Sequence, residues 1–162
     1  MKPKLAEDQR LEVSYHMGRF MVDHLVRVYA MFEGDLTAAI VLGTVAQHNI
    51  QRYYDEIARG SPAGLDRLVE EGEHLPHMRP CNALSVSAAT DIPRETVRRK
   101  VRWLVNKGWL TVGERGQLAV ARNVRKQFEG FDRETHRRFE DCVRALSGLQ
   151  GPKDTQQPRR PV

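Results

Sequence analysis

One predicted helix, residues 93–106, concentrates the side chains that are best suited to bind an anion. Four apolar residues share one side of its helical wheel: Val97, Val101, Leu104 and Val105. Polar and basic residues occupy the opposite side: Glu95, Thr96, Arg99, Arg102 and Asn106. Arginine and lysine form charge-assisted hydrogen bonds with phosphate oxygens, and arginine can also donate two hydrogen bonds to a guanine edge. The pattern therefore predicts a helix that is anchored on one side and presents a nucleic-acid-binding face on the other.

The first turns of this helix hold the residues that we expect to contact base edges. An α-helix fits the major groove of DNA, and the residues near its N-terminal end normally meet the bases. This position nominates four residues: Arg94, Glu95, Thr96 and Arg99. Thr96 offers a methyl group and a hydroxyl, whereas Glu95 either accepts a hydrogen bond from cytosine or orients a neighbouring arginine.

Other basic residues are placed to contact phosphates. Arg98 and Lys100 lie on the flanks of the helix, Arg102 lies on its outer face, Arg115 lies in a predicted hairpin, and a further cluster spans 122–126. Between residues 94 and 126, ten Lys and Arg residues accompany two acidic residues, a net charge of +8. The whole chain carries +5, so the remainder sums to −3. A basic segment beside a mildly acidic remainder indicates a directed electrostatic face.

The elements that flank this helix are predicted to position it. Residues 84–90 can form a short helix with Ser85 as its N-cap, and Asp91-Ile92-Pro93 forms a turn in which Ile92 is an apolar plug. Lys107-Gly108 ends the basic helix. Two short strands then surround the Gly-bearing turn at 113–116, which predicts a hairpin. Helix, turn, helix and hairpin succeed one another in the order of a winged helix-turn-helix.

The segment 84–120 is similar to a known group of proteins. Ile92-Pro-Arg-Glu-Thr-Val-Arg-Arg-Lys-Val, continued by Leu104-Val-Asn-Lys-Gly-Trp-Leu110, resembles the recognition helix and wing entry of bacterial winged-helix transcription regulators of the MarR-like and GntR-like groups. The resemblance implies a dimeric regulator that binds a palindromic DNA site. The hairpin departs from the MarR-like pattern, because it is short and carries Arg115 without the Asp-x-Arg of many members.

The rest of the chain predicts three longer helices, at 5–32, 36–58 and near 132–148, so the fold class is mainly α with a small β-hairpin. In the first helix the apolar arc is wider than packing against one neighbour requires. That helix is therefore either buried within its own domain or also faces a second chain, and we favour a homodimer.

These patterns divide the chain into five stretches. They are an N-terminal helical region for dimerisation at 1–59, a connecting segment at 60–80 with a short helix at 63–71, a winged helix at 81–126, a C-terminal helix at 127–149 and a disordered tail at 150–162.

Several function classes lack support in the sequence. No Gly-rich phosphate loop, paired-carboxylate motif or nucleophile motif is present, so we expect neither an enzyme nor a cofactor. His74, His77 and Cys81 have a metal-like spacing without a fourth ligand nearby, so we expect no metal site. The N-terminus lacks a signal-peptide pattern, no apolar run is long enough to span a bilayer, and the two cysteines form no motif, which together predict a cytoplasmic protein.

The sequence leaves alternatives open for both partner and process. A winged helix can act as a protein-interaction module, and the same DNA-binding physics serves replication or plasmid maintenance. A repressor is the default for a small dimer without an evident activation surface. Tyrosines and methionines of the first two helices form either a core stripe or a pocket for a small-molecule effector: Tyr15, Tyr29, Tyr53, Tyr54, Met17 and Met31.

Overall fold

The structure, a computed structural model, describes residues 7–58 and 81–149. These ranges contain five helices and one two-stranded antiparallel sheet: α1 Glu7–Met31, α2 Leu36–Ala58, α3 Ala83–Thr90, α4 Arg94–Asn106, β1 Leu110–Val112, β2 Leu118–Val120 and α5 Val124–Gly148. The prediction of a mainly helical chain with a small hairpin is confirmed. The predicted helix at 63–71, the residues His74 and His77, and the tail at 150–162 lie outside the described residues. So do the side chains of Tyr53 and Tyr54.

The chain divides into two compact units. One unit, which we call the core unit, is Val28–Glu129. The other, which we call the helix-pair unit, comprises the described parts of Met1–Arg27 and Gly130–Val162. The core unit thus places α2 together with α3, α4 and the hairpin, whereas the sequence boundaries placed residues 36–58 in the N-terminal region.

The core unit is built around one apolar cluster, because α2, α3, α4 and β2 each contribute buried residues to it. Val97, Val101 and Leu104 are buried, which confirms three of the four predicted anchors of α4. The fourth anchor was wrong, because Val105 is 37% exposed. Its position on the helical wheel lies at the edge of the anchored side, about 40° from Val101.

Trp109 directly precedes β1, at the position where its sequence context predicts the start of a strand with a core side chain, and it is buried. Its ring packs edge-on against Phe32 and Phe128, and its indole N–H donates to Gln127 Oε1 at 2.7 Å. Trp109 therefore links the start of the hairpin to residues near the first and the last positions of the core unit. Its only polar side-chain atom has a hydrogen-bond partner.

The sequence Glu33-Gly34-Asp35 predicts a helix stop at Gly34 and an N-cap at Asp35, and the turn between α1 and α2 has this chemistry. Glu33 and Gly34 have left-handed φ values of 55° and 87°, which glycine adopts at little cost. Asp35 then caps α2, because its Oδ1 accepts the Ala38 N–H at 2.9 Å. Both the helix stop at Gly34 and the N-cap at Asp35 are confirmed.

The start of α3 differs from the prediction. Asn82, not Ser85, is the N-cap: its side-chain oxygen accepts the Leu84 and Ser85 amides at 2.9 and 3.0 Å. Ser85 Oγ in turn accepts the Asn82 amide at 3.2 Å, which completes a capping box. Ser85 therefore helps to cap the helix from inside its first turn.

The start of the last helix also differs, because α5 begins at Val124 rather than near 132. Gly130 lies within the helix, where glycine costs about 1 kcal/mol relative to alanine. Burial of Val124 and packing of Phe128 against the core outweigh that cost. None of the helices that the structure describes is both long and apolar enough to cross a bilayer.

Candidate nucleic-acid interface

The α3–α4 turn joins the two helices that carry the helix-turn-helix order of the sequence. Asp91 adopts a left-handed conformation with φ 56°, which ends α3. The Ser87 hydroxyl donates to the Ile92 carbonyl at 2.7 Å, and the Thr90 hydroxyl donates to the Val86 carbonyl at the same distance. Ile92 is half-buried against the core cluster, as an apolar plug should be. This short turn is therefore held by side chains at both ends.

Residues of the hairpin are fixed in turn by α2 and by Cys81. Leu110 pairs with Val120 and Val112 pairs with Leu118, and the Leu118 N–H donates to the Cys81 carbonyl at 2.7 Å. Cys81 thus extends the edge of the small sheet by one backbone hydrogen bond. Burial raises the pKa of its thiol and so favours the protonated form.

Asn49 of α2 is a structural residue that the sequence patterns did not single out. It is buried, its Oδ1 accepts the Val120 N–H at 3.0 Å, and its Nδ2 donates to the Leu118 carbonyl at 3.3 Å. The amide therefore pairs with the outer edge of β2 as a neighbouring strand would. The sequence does contain a feature that predicts its burial, because Asn49 continues the four-residue spacing of the buried Val41 and Val45.

Two lysines of the basic segment are withdrawn towards the α1–α2 turn. Lys100 Nζ forms an ion pair with Asp35, and Lys107 Nζ forms one with Glu33. Burial alone raises the pKa of the Asp35 carboxyl, but hydrogen bonds from Lys100 and the Ala38 amide outweigh it and lower the pKa below its ordinary value. Lys100 is thus placed as a structural partner of the α2 cap.

Three charged residues on the outer face of α4 form one cluster. The Glu95 carboxylate lies 3.5 Å from the Arg98 guanidinium and 3.4 Å from that of Arg102. All three side chains are at least half exposed, so the pairing is weak and exchangeable. Of the two roles considered for Glu95, orientation of a neighbouring arginine is the one that these contacts match.

The remaining cations of the segment form no ion pair within the described residues. Six of them are exposed and have no carboxylate of residues 7–58 or 81–149 within ion-pair distance: Arg94, Arg99, Arg115, Arg122, Arg125 and Lys126. Arg94 and Arg99 lie in the first two turns of α4, and Arg115 lies at the hairpin tip, where Gly116 has a φ of 72°. Thr96 is half-buried beside them.

Trp103 is half-buried and packs against the apolar cluster of the core unit. Its ring meets Trp109 edge-on with centroids 5.8 Å apart, and Lys107 Nζ lies 5.2 Å above the ring. The indole therefore joins the end of α4 to the start of the hairpin.

Comparison with protein-family models, with curated proteins and with solved structures gave no match for this chain. Its function is therefore inferred from the charge, burial and geometry of its own residues.

Proposed function

We propose that this chain is a sequence-specific double-stranded-DNA-binding transcription regulator, a homodimeric repressor whose α4 enters the major groove. The order α2, α3, turn, α4, β1 and β2, with Cys81 paired to the edge of β2, supports a winged helix-turn-helix. Both cysteines of the described residues are free, which suits a reducing cytoplasm.

The observation that carries the proposal is the division of α4 into a buried and an open side. Val97, Val101 and Leu104 anchor the helix, and the opposite side presents Arg99, which forms no ion pair in the described ranges and lies within longer-range electrostatic reach of Asp35. An arginine without an ion-pair partner on an exposed helix face is available for an external anion or a base edge. Arg94, Thr96 and Arg99 are accordingly the proposed base-contacting residues.

A second set of residues supplies affinity without sequence preference. Arg98 and Arg102 leave Glu95 readily, because surface ion pairs are worth little, and DNA phosphates compete for them. Arg115, Arg122, Arg125 and Lys126 extend this positive surface beyond α4. Lys100 contributes less than its charge alone suggests, because Asp35 already neutralises it.

Two substitutions on α4 test this division of roles. Arg99→Ala should weaken binding to the preferred sequence by about 1–3 kcal/mol and relax the preference at that position, because it removes a base contact. Arg102→Ala should weaken binding to every sequence alike and make the salt dependence shallower by roughly one phosphate contact. Fluorescence anisotropy with preferred and scrambled duplexes measures both effects.

A salt titration is the control for the class of partner. Binding through many phosphates should fall steeply between about 50 and 200 mM salt, whereas a hydrophobic protein interface should not respond in that way. The proposal is overturned if neither substitution reduces affinity for any duplex.

A further inference from the structure

The helix-pair unit lacks an interior of its own. Within residues 9–27 and 130–149, every side chain is exposed or only half-buried. Two helices alone cannot enclose a core, and an apolar face left in water favours association. A face of this unit that its own helices leave open is therefore a candidate for contact with a partner.

One side of α1 is already covered by α5. Asp23 pairs with Arg138 at 2.7 Å, the rings of Phe20 and Phe139 are 5.5 Å apart, and the Cys142 thiol donates to the His16 carbonyl at 3.6 Å. His16, Phe20 and Asp23 fall within about 60° of one another on the helical wheel. The α5 contact thus occupies one definite side of α1.

The opposite side of α1 carries an apolar seam with alternating spacings of four and three residues: Leu11, Tyr15, Gly18, Val22 and Leu25. The four large side chains of this α1 seam are between 46% and 74% exposed. A Cβ added at Gly18 would meet nothing within 4 Å, so the middle of the seam faces open space. Alternating four- and three-residue spacing is the pattern by which one helix packs along another.

The size of this apolar face matches that of a stable interface. Met21 and Val26 widen the α1 seam, and each is roughly half exposed or more. Together the six large side chains present on the order of 600 Å², about the smallest area that each partner buries in a specific, stable interface.

We propose that the α1 seam packs against the α1 seam of a second copy of this chain. The seam suits its own copy, because the alternating four- and three-residue spacing allows knobs-into-holes packing between two identical helices. The inference rests on the proposed function for its biological use, since a palindromic site requires two copies, and it specifies the surface that joins them.

Truncation of the seam to alanine tests the inference in the full chain. Leu11→Ala with Leu25→Ala removes exposed side chains and introduces the best helix former, so the fold of a single chain is not at risk. The dimer dissociation constant should rise at least about 100-fold, because each copy loses two leucines from the buried seam. Ile40→Ala is the matched control, since Ile40 is a similarly exposed aliphatic residue of α2 in the core unit, and it should leave dimerisation unchanged.

Sedimentation equilibrium across a dilution series, with circular dichroism to confirm equal helix content, gives the result. The wild-type chain should have twice the mass of a single chain, and the seam variant should be monomeric at the same concentration. A monomeric wild-type chain, a seam variant that remains dimeric, or an Ile40→Ala variant that dissociates equally would each overturn the inference.

Binding to a generic duplex at low salt separates this inference from the proposed function. The monomeric seam variant should still bind, because the basic face of the core unit is intact. Failure of both wild type and variant to bind DNA, with the dimer broken as expected, would reject the proposed function and leave the α1 seam standing.

Discussion

The core unit and the helix-pair unit differ in how far they bury their apolar side chains. The fully buried side chains identified in the described residues all belong to the core unit, where α2, α3, α4 and the hairpin share one apolar cluster. The helix-pair unit has apolar side chains of similar size, but it leaves the larger part of them exposed on α1. The comparison shows that hydrophobic composition alone does not distinguish a core from an interface. Apolar residues of a core are buried within one chain, whereas those of an interface are buried only when a partner binds.

The two units also differ in how they use charge. In the helix-pair unit, acids and arginines neutralise one another along α5, with Glu134 held by Arg137 and Arg138. In the core unit only Lys100 and Lys107 are matched by acids of a distant turn within the described residues, while several arginines remain open. Charge that is not compensated internally is available for an external anion.

The largest expected effect comes from truncating a core residue. Leu104→Ala should reduce the free energy of unfolding of the core unit by about 2–5 kcal/mol, because Leu104 is fully buried and its removal leaves a cavity. Leu25→Ala in the helix-pair unit, measured at a concentration where the chain is monomeric, should change the free energy of unfolding by less than about 0.5 kcal/mol. Chemical denaturation measures both, and equal costs for the two would erase the distinction between the units.

An intermediate effect is expected from releasing Lys100. Asp35→Asn keeps an N-cap for α2 but removes the charge that holds Lys100, so DNA binding should tighten for all sequences. The slope of log K against log salt should steepen by about 0.9, the value for one added phosphate contact. Glu33→Gln, which releases the more exposed Lys107, is the companion variant. An unchanged slope for Asp35→Asn would show that Lys100 does not reach the DNA.

The smallest effect concerns acid stability of the helix-pair unit. Hydrogen bonds from Arg137 and Arg138 lower the pKa of Glu134 from 4.5 to about 2. A lowered pKa means that ionised Glu134 stabilises the folded state above pH 4.5, and this contribution is lost as the pH falls towards 2. The stability difference between wild type and Glu134→Gln should therefore shrink over that range. It should be small throughout, because the pair is exposed to solvent. A difference that stays constant with pH would contradict the assignment.

Local patterns predicted the parts of the site that local physics determines. The 3.6-residue period located the anchors Val97, Val101 and Leu104, and the residue types at Gly34 and Asp35 predicted the α1–α2 turn. Val105 was misassigned because burial at the edge of a helix face depends on which neighbour covers it. The α5 boundary was misplaced because tertiary packing at Val124 and Phe128 overcame the local cost of Gly130.

Long-range pairings account for what the sequence did not predict. Asp35 and Lys100 are 65 residues apart in the sequence. Asn49 is 71 residues from Val120, whose N–H donates a hydrogen bond to the Asn49 side chain. Nothing in local periodicity brings such partners together, because their contact exists only once the helices have packed. These pairings decide which cations of the basic segment remain open, and so they refine the proposed DNA-binding set.

Selection of bound duplexes from a random pool by the full chain tests the central claim, that α4 reads DNA sequence, most directly. We predict enrichment of an inverted repeat whose half-sites lie about one helical turn, or roughly 10–10.5 base pairs, apart. Selection with Arg99→Ala should lose the preference at one position of each half-site. A pool that remains random, with no retention of duplexes at low salt, would contradict the claim.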